Sequence, residues 1–284
     1  MPADNYLVTA IVTTRNRPEL VKQAVKSVLG QTHRNLEIVL VDDSDYDAPC
    51  KRLSGLSDRI KYIKNEKCFG ACYSRNVGIA EAKGDFIAFL DDDDYWLPEK
   101  TECQLAATAE YPLVSCNYIS VRGAKKTRVR NPELVSYDDM LYHNYLGSCS
   151  FVLGTAAAIK KCSFDGTLEA GQDWEMWLSI MKANSISRAR NLQSYLAVYN
   201  QGVHSRISNT AKYARAALVL YEKHCEEHTP STADLFELYN LMKADGNPVL
   251  WCVREAKKAR LKGLGLLSVL RVCVNRILGR IDFL

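Results

Sequence analysis

The sequence predicts an α/β fold: a mixed, mostly parallel sheet flanked by helices, followed by a helical C-terminal extension. Three observations carry this. Near-continuous apolar runs recur at Leu7–Thr14, Leu36–Val41 and Asp85–Leu90, as strands covered on both faces require. Helix-period segments lie between them, and strand–helix alternation builds a parallel sheet with helices on both faces. From about Thr210 the remaining apolar stripes, such as Ala217, Leu220, Tyr221 and Leu235, Leu238, Leu241, read as helices.

The elements follow in order. Leu7–Thr14 is the first strand, broken by Arg15-Asn-Arg-Pro18, and Pro18 suits the first turn of a helix. That helix repeats apolar pairs at Leu20/Val21, Ala24/Val25 and Val28/Leu29. Leu36–Val41 is a second buried strand running into Asp42-Asp43-Ser44, and Ile60–Ile63 a short third. Tyr73–Lys83 reads as a helix closed by Gly84. Asp85–Leu90 is a fourth strand, ending in Asp91-Asp92-Asp93-Asp94, and Pro98 opens another helix. After Val121 the alternation loosens, with short helices expected at Thr155–Phe164 and Asp173–Ala183.

Bulk properties narrow the classes. With 284 residues, 47% hydrophobic and 25% charged, the composition is that of a globular chain and argues against disorder. A net charge of +4 is too small to imply a nucleic-acid partner, and no nucleic acid is expected. The 10 Cys are scattered with no CxxC pair, which favours reduced core thiols over a zinc site or disulfide framework. The polar start Met1–Tyr6 shows no signal peptide, and no apolar stretch reaches the ~20 residues that span a bilayer.

Ligands of such sheets bind at the carboxyl ends of the strands, where both acidic clusters fall. Four consecutive aspartates repel one another, and a hard divalent cation relieves that repulsion. The bland alternative is a solvated turn, but this run sits between Phe86-Ile-Ala-Phe-Leu90 and Tyr95-Trp96-Leu97-Pro98. Asp42-Asp43 reads alone as a cap or Asx turn; beside the second cluster, a carboxylate facing a nucleobase N–H becomes a reason for an acid there.

At this point the chain resembles the family-2 inverting glycosyltransferases of the GT-A fold. The residues that carry the resemblance are Ile11-Val-Thr-Thr-Arg-Asn-Arg-Pro18, Ser27-Val-Leu-Gly-Gln-Thr32, Leu36–Ser44, Gly70, Ser74-Arg-Asn-Val-Gly-Ile-Ala80, Gly84–Asp94 and Trp96-Leu-Pro98. It extends more loosely to Gly171–Trp177 and His204…Ser208, and so covers about residues 7–208. It implies a glycosyltransferase domain over 1–209, with a donor half at about 7–121 and an acceptor half at about 122–209. The helical region 210–284 lies outside it.

The resemblance assigns roles to single positions. Thr13, Thr14 and Arg15 fall in the nucleotide-binding loop. Asp42 or Asp43 would contact the base, and Arg75 the base or phosphates. The D-x-D motif falls on Asp91-Asp92-Asp93, with Asp93 the direct metal ligand and Asp91 or Asp92 on the ribose or a metal-bound water. Asp173 falls on the catalytic base, although it could instead cap its helix, and Gln172 stands where the family usually has Glu. His204 lies near the metal or diphosphate in some relatives. The implied reaction moves a sugar from a nucleotide-diphosphate donor, expected to be a UDP-sugar, to an acceptor hydroxyl, with Mn²⁺ or Mg²⁺ as cofactor. One in-line displacement then inverts the anomeric centre to a β-glycoside. The acceptor expected is a lipid-linked or surface-polysaccharide glycan. The competing reading is a sugar-nucleotide-binding protein or a nucleotidyltransferase, but the latter wants a glycine-bearing loop after strand one, and Thr13–Pro18 has no glycine.

The tail adds one expectation. From Trp251 to Leu284 eight Lys and Arg stand against two acids, leaving residues 1–250 with net −2. Arg254, Lys257, Lys258, Arg260, Lys262, Arg271, Arg276 and Arg280 interleave with leucines and valines, the pattern of a helix in a membrane interface. A helix packed on the catalytic domain is the alternative. The membrane reading places the protein in the cytoplasm, peripheral at the cytoplasmic face of an anionic membrane.

Overall fold

The computed structural model describes residues 5–46, 53, 55–201, 219–220 and 223–224. The chain divides into two compact units, Met1–Thr167 with Gln172–Arg206, and Leu168–Gly171 with Ile207–Leu284. All elements below belong to the first. His204 and the basic tail lie outside the described residues.

The first unit opens with β1 (Val8–Thr14), α1 (Pro18–Leu29), β2 (Leu36–Asp42), β3 (Ile60–Lys64), α2 (Ala71–Glu81) and β4 (Phe86–Asp91). It continues with β5 (Tyr95–Trp96), α3 (Lys100–Ala107), β6 (Leu113–Arg122), β7 (Lys125–Val129), β8 (Leu134–Ser136) and α4 (Tyr137–Tyr142). Last come β9 (Leu153–Thr155), α5 (Ala156–Ile159), α6 (Gln172–Ala183) and β10 (Arg188–Asn200). These strands make one sheet of order β3-β2-β1-β4-β9-β6-β10-β5, with β7 on β6 and β8 on β10. β3, β2, β1 and β4 are parallel, β9 runs antiparallel to both β4 and β6, and β10 returns parallel to β6. The expected mixed, mostly parallel sheet is therefore present.

Both faces of the parallel half are covered, which is why its strands read as unbroken apolar runs. Val8, Ala10 and Val12 share one buried cluster with Val21, Ala24, Val25 and Val28 of α1 and with Leu36, Ile38 and Leu40 of β2. On the opposite face the Phe89 ring meets Phe164 and Trp177. Every residue of β1 is buried. The Gln31 side chain joins the end of α1 to α3: its Nε2 donates to the Leu97 carbonyl at 2.8 Å, and its Oε1 accepts from the Thr101 amide and hydroxyl, both at 2.9 Å.

Several boundaries differ from the sequence expectation. α2 starts at Ala71 and ends at Glu81, so Gly84 does not cap it. Gly84 sits where a Cβ would lie 2.7 Å from the Leu7 carbonyl and the Thr9 amide, and 2.8 Å from the Phe86 carbonyl. The close strand approach, not a left-handed cap, demands glycine there. Residues 155–164 are not one helix: Thr155 ends β9, and only Ala156–Ile159 is α-helical. α3 begins at Lys100 rather than at Pro98.

Candidate active site

The parallel register gathers the acidic clusters at one rim. Thr14 pairs with Asp42, and Thr13 pairs with Asp91, so the carboxyl ends of β2, β1 and β4 lie side by side. Beyond β1 the chain turns at Asn16, whose φ of +56° is left-handed, a conformation asparagine tolerates well. Arg17 then leads into Pro18 at the first turn of α1.

Asp42 and Asp43 are both buried and fully engaged. Asp42 accepts from the Ser44 amide at 2.9 Å, from the Ser44 hydroxyl, and from the Tyr62 hydroxyl at 2.8 Å. Asp43 accepts from Asn65 Nδ2 at 2.7 Å, from the Phe69 and Gly70 amides at 3.0 and 2.8 Å, and from Cys68 Sγ at 3.4 Å. Burial pushes the Asp43 carboxyl up, but these donors outweigh it and hold it below the usual carboxylate range. Its bonds fix the segment leading into α2, and with it the start of that helix.

The aspartate run is divided among separate partners. Asp91 Oδ1 accepts from Arg75 at 2.6 Å. Asp92 accepts from the Thr14 hydroxyl at 2.8 Å and from Arg17 at 3.0 Å, and the same guanidinium reaches Asp93 at 3.4 Å. Asp94, wholly buried, accepts from the Ser150 hydroxyl at 2.6 Å and the Asn200 amide at 3.0 Å. Burial raises the Asp93 carboxyl to about 6, the Asp91 and Asp92 charges add to this, and Arg17 opposes it. The Asp94 carboxyl is also raised well above the usual carboxylate range, again first by burial.

Asp173 stands in the first turn of α6 and accepts the Trp174 amide at 2.7 Å. It keeps some surface open to solvent although crowded neighbours surround it. Burial lifts its carboxyl to about 6; the Trp174 amide and the Arg75 charge pull it down, while the Asp91 charge pushes it up. The Tyr199 hydroxyl of β10 is raised first by burial and then by Asp94, Asp91, Asp173 and Asp93. One rim thus collects Arg75, the aspartate run, Asp173 and Tyr199.

Of the residues singled out in the sequence, Thr14, Asp91, Asp92 and Asp93 meet at this rim, together with Arg75 and Asp173. Thr13 is buried in β1 beside Asp91. Arg15 turns outward into an exposed pair with Asp45 at 3.1 Å. Arg75, read as a base or phosphate contact, is side-chain buried against Asp91. Sequence reading missed Arg17, Ser150 and Asn200, and it grouped Asp94 with the metal cluster, whereas Ser150 and Asn200 hold it in the interior. Only Arg17 carried a usable signal: it stands three residues past the end of β1, whose parallel neighbour ends in the aspartates.

The metal question turns on the donor set. Among the described residues no group of three or more His, Cys, Asp or Glu is placed to hold an ion. Asp93 is the least engaged carboxylate of the run, and its raised affinity for a proton comes first from burial and then from the neighbouring Asp91 and Asp92 charges. One such carboxylate suits Mg²⁺ or Mn²⁺, which take one or two protein carboxylates and fill their shells with phosphate oxygens and water.

Comparison with known proteins adds the following. Residues 9–167 match the model of the family described as Glycosyl transferase family 2. The chain is 33% identical over 190 residues to UDP-Glc:alpha-D-GlcNAc-diphosphoundecaprenol beta-1,3-glucosyltransferase WfaP of Escherichia coli, covering 66% of this chain and 74% of that one. The structure of S. aureus TarS 1-349 in complex with UDP-GlcNAc is similar with a TM-score of 0.66 at 18% identity, covering 84% of this chain and 72% of TarS 1-349. Mannosyltransferase PcManGT from Pyrobaculum calidifontis, in complex with GDP-Man and Mn²⁺, gives a TM-score of 0.60 at 16% identity, covering 99% and 83%.

Proposed function

Because the chain belongs to glycosyl transferase family 2 and has the GT-A fold, we propose that this glycosyltransferase inverts the anomeric centre and makes a β-glycoside. The observation that carries the reading is Asp173. A carboxyl with a pKa of about 6 is mostly ionised at neutral pH and still basic enough to accept a proton. It feels the charges of Asp91 and Arg75 at the strand-end rim, the side from which ligands enter such sheets. In the proposed step Asp173 takes the proton of the acceptor hydroxyl as its oxygen attacks the anomeric carbon. The bond to the diphosphate breaks, and the diphosphate leaves with the bonding electron pair.

Asp93 would hold a Mn²⁺ or Mg²⁺ ion, which when bound supplies Lewis-acid stabilisation of the leaving diphosphate. Thr13, Thr14 and Arg15 line the approach for the nucleotide, with Asp42 and Asp43 shaping the base end. Arg75 holds Asp91 in place through their 2.6 Å ion pair. His204, outside the described residues, stays a candidate second ligand. A UDP-sugar donor is favoured by the names of WfaP and of the TarS complex. A lipid-linked glycan acceptor is favoured by WfaP, whose named acceptor is a diphosphoundecaprenol-linked GlcNAc. We assign residues 1–209 to the catalytic domain and 210–284 to a region that meets an anionic membrane where such an acceptor resides.

The test is transfer from a panel of UDP- and GDP-sugars to polyprenyl-diphosphate-linked GlcNAc, with the product anomer read by NMR. A β-linked product supports the reading. An α-linked product from an α-linked donor overturns inversion and the role of Asp173 together.

A further inference from the structure

Arg17 stands apart from the rim residues the mechanism uses. It precedes α1 with φ −133° and ψ 60°, and its side chain makes no helix-capping bond. Its guanidinium instead reaches across to β4, 3.0 Å from Asp92 and 3.4 Å from Asp93. Among the described residues it is the cation that touches both. The Arg17 side chain is 32% exposed, so it can leave without opening the core. Thr14 already occupies the other Asp92 oxygen.

We propose that Arg17 is a resident counter-cation of the aspartate run, competing with the divalent ion for Asp92 and Asp93 until the donor's diphosphate draws it away. This rests on the reading that Asp93 is the metal ligand. A guanidinium and a divalent ion sharing one carboxylate sit about 4 Å apart. At a water-like dielectric their repulsion weakens ion binding by roughly thirtyfold, and screening and side-chain movement bring that to roughly five- to tenfold. A diphosphate offers the guanidinium a bidentate anion in exchange. Ion and nucleotide therefore assist each other's binding, and Arg17 is a positioning residue that couples them.

The test is a Mn²⁺ titration followed by electron paramagnetic resonance, with and without UDP, on the wild type, Arg17→Gln, Arg17→Lys and Asp93→Ala. Thermal melting confirms that each variant is folded, and Arg17→Met provides an independent second charge removal. Without UDP, Arg17→Gln should bind Mn²⁺ roughly five- to tenfold more tightly than the wild type, as expected for removing one nearby charge. Arg17→Lys should stay near the wild type. UDP should strengthen Mn²⁺ binding in the wild type and much less in Arg17→Gln. Equal Mn²⁺ affinity in the wild type and both charge-removed variants, with UDP-dependent binding that Asp93→Ala abolishes, overturns the role of Arg17 and leaves the metal reading standing. Absence of Mn²⁺ binding by the wild type even with UDP overturns both.

Discussion

Replacing Asp173 by Asn separates chemistry from architecture. The amide oxygen can still accept the Trp174 amide, now 2.7 Å from the carboxylate, so α6 should keep its first turn. The amide cannot accept a proton, and turnover should fall by roughly 10²–10⁴-fold. Stability should move the other way. Burial raises the folded carboxyl from 3.8 to about 6, so ionising it costs the folded state up to about 3 kcal/mol at 1.36 kcal/mol per unit. The stabilising effect of the proton is complete below the unfolded pKa and is lost as pH rises through the folded value. Asp173→Asn removes that loss, so its stability advantage should grow from pH 4 to pH 6 and then level off. Urea unfolding at pH 4, 5, 6 and 7.5 reads the advantage, and initial rates across the same range read the wild-type rise in activity through about pH 6. Near-normal turnover of the variant, or an advantage that does not grow across this range, would refute the assignment of a proton-accepting, burial-shifted carboxyl.

The other expectations follow from single contacts. Asp93→Ala should abolish transfer and the Mn²⁺-dependent part of donor binding while the melting temperature stays close to normal; undiminished activity with a chelator present sinks the metal assignment. Gly84→Ala should cost roughly 1–3 kcal/mol, because the added methyl meets the Leu7 and Thr9 backbone at 2.7 Å and the Phe86 carbonyl at 2.8 Å; an unchanged urea midpoint contradicts the close approach. A chain ending near Gly246 should lose salt-sensitive sedimentation with anionic vesicles, since each basic residue of the tail contributes about 1 kcal/mol near such a surface. Equal partitioning of both forms removes the tail as an anchor.

The parallel half was legible because burial on both faces leaves no polar alternation to confuse it, as β1 and β2 show. The return half was not. β9 has three residues, β7 is mostly exposed Lys, Thr and Arg, and β10 mixes Arg, Asn and Gln with its buried positions. Long-range pairing, not local pattern, makes these strands. At the site, the carboxylates were readable from their place after apolar runs, but their partners were not. Asp94 looks in sequence like one more acid of the rim, yet Ser150 and Asn200, 56 and 106 residues away, hold it inside the core.

The four bonds that close on Asp43 have a mechanical corollary. They set where α2 begins, and one turn along that helix Arg75 grips Asp91. Under the proposed assignment, with the base near Asp43 and the leaving group near Asp91, the two ends are arms of one lever with α2 as its beam. Exchanging the acids after β2 to change which nucleotide is accepted would tilt the far arm as well. Attempts to retool this protein for a new donor should therefore pair any change at Asp43 with a compensating one near Arg75, or accept slower turnover along with the new preference.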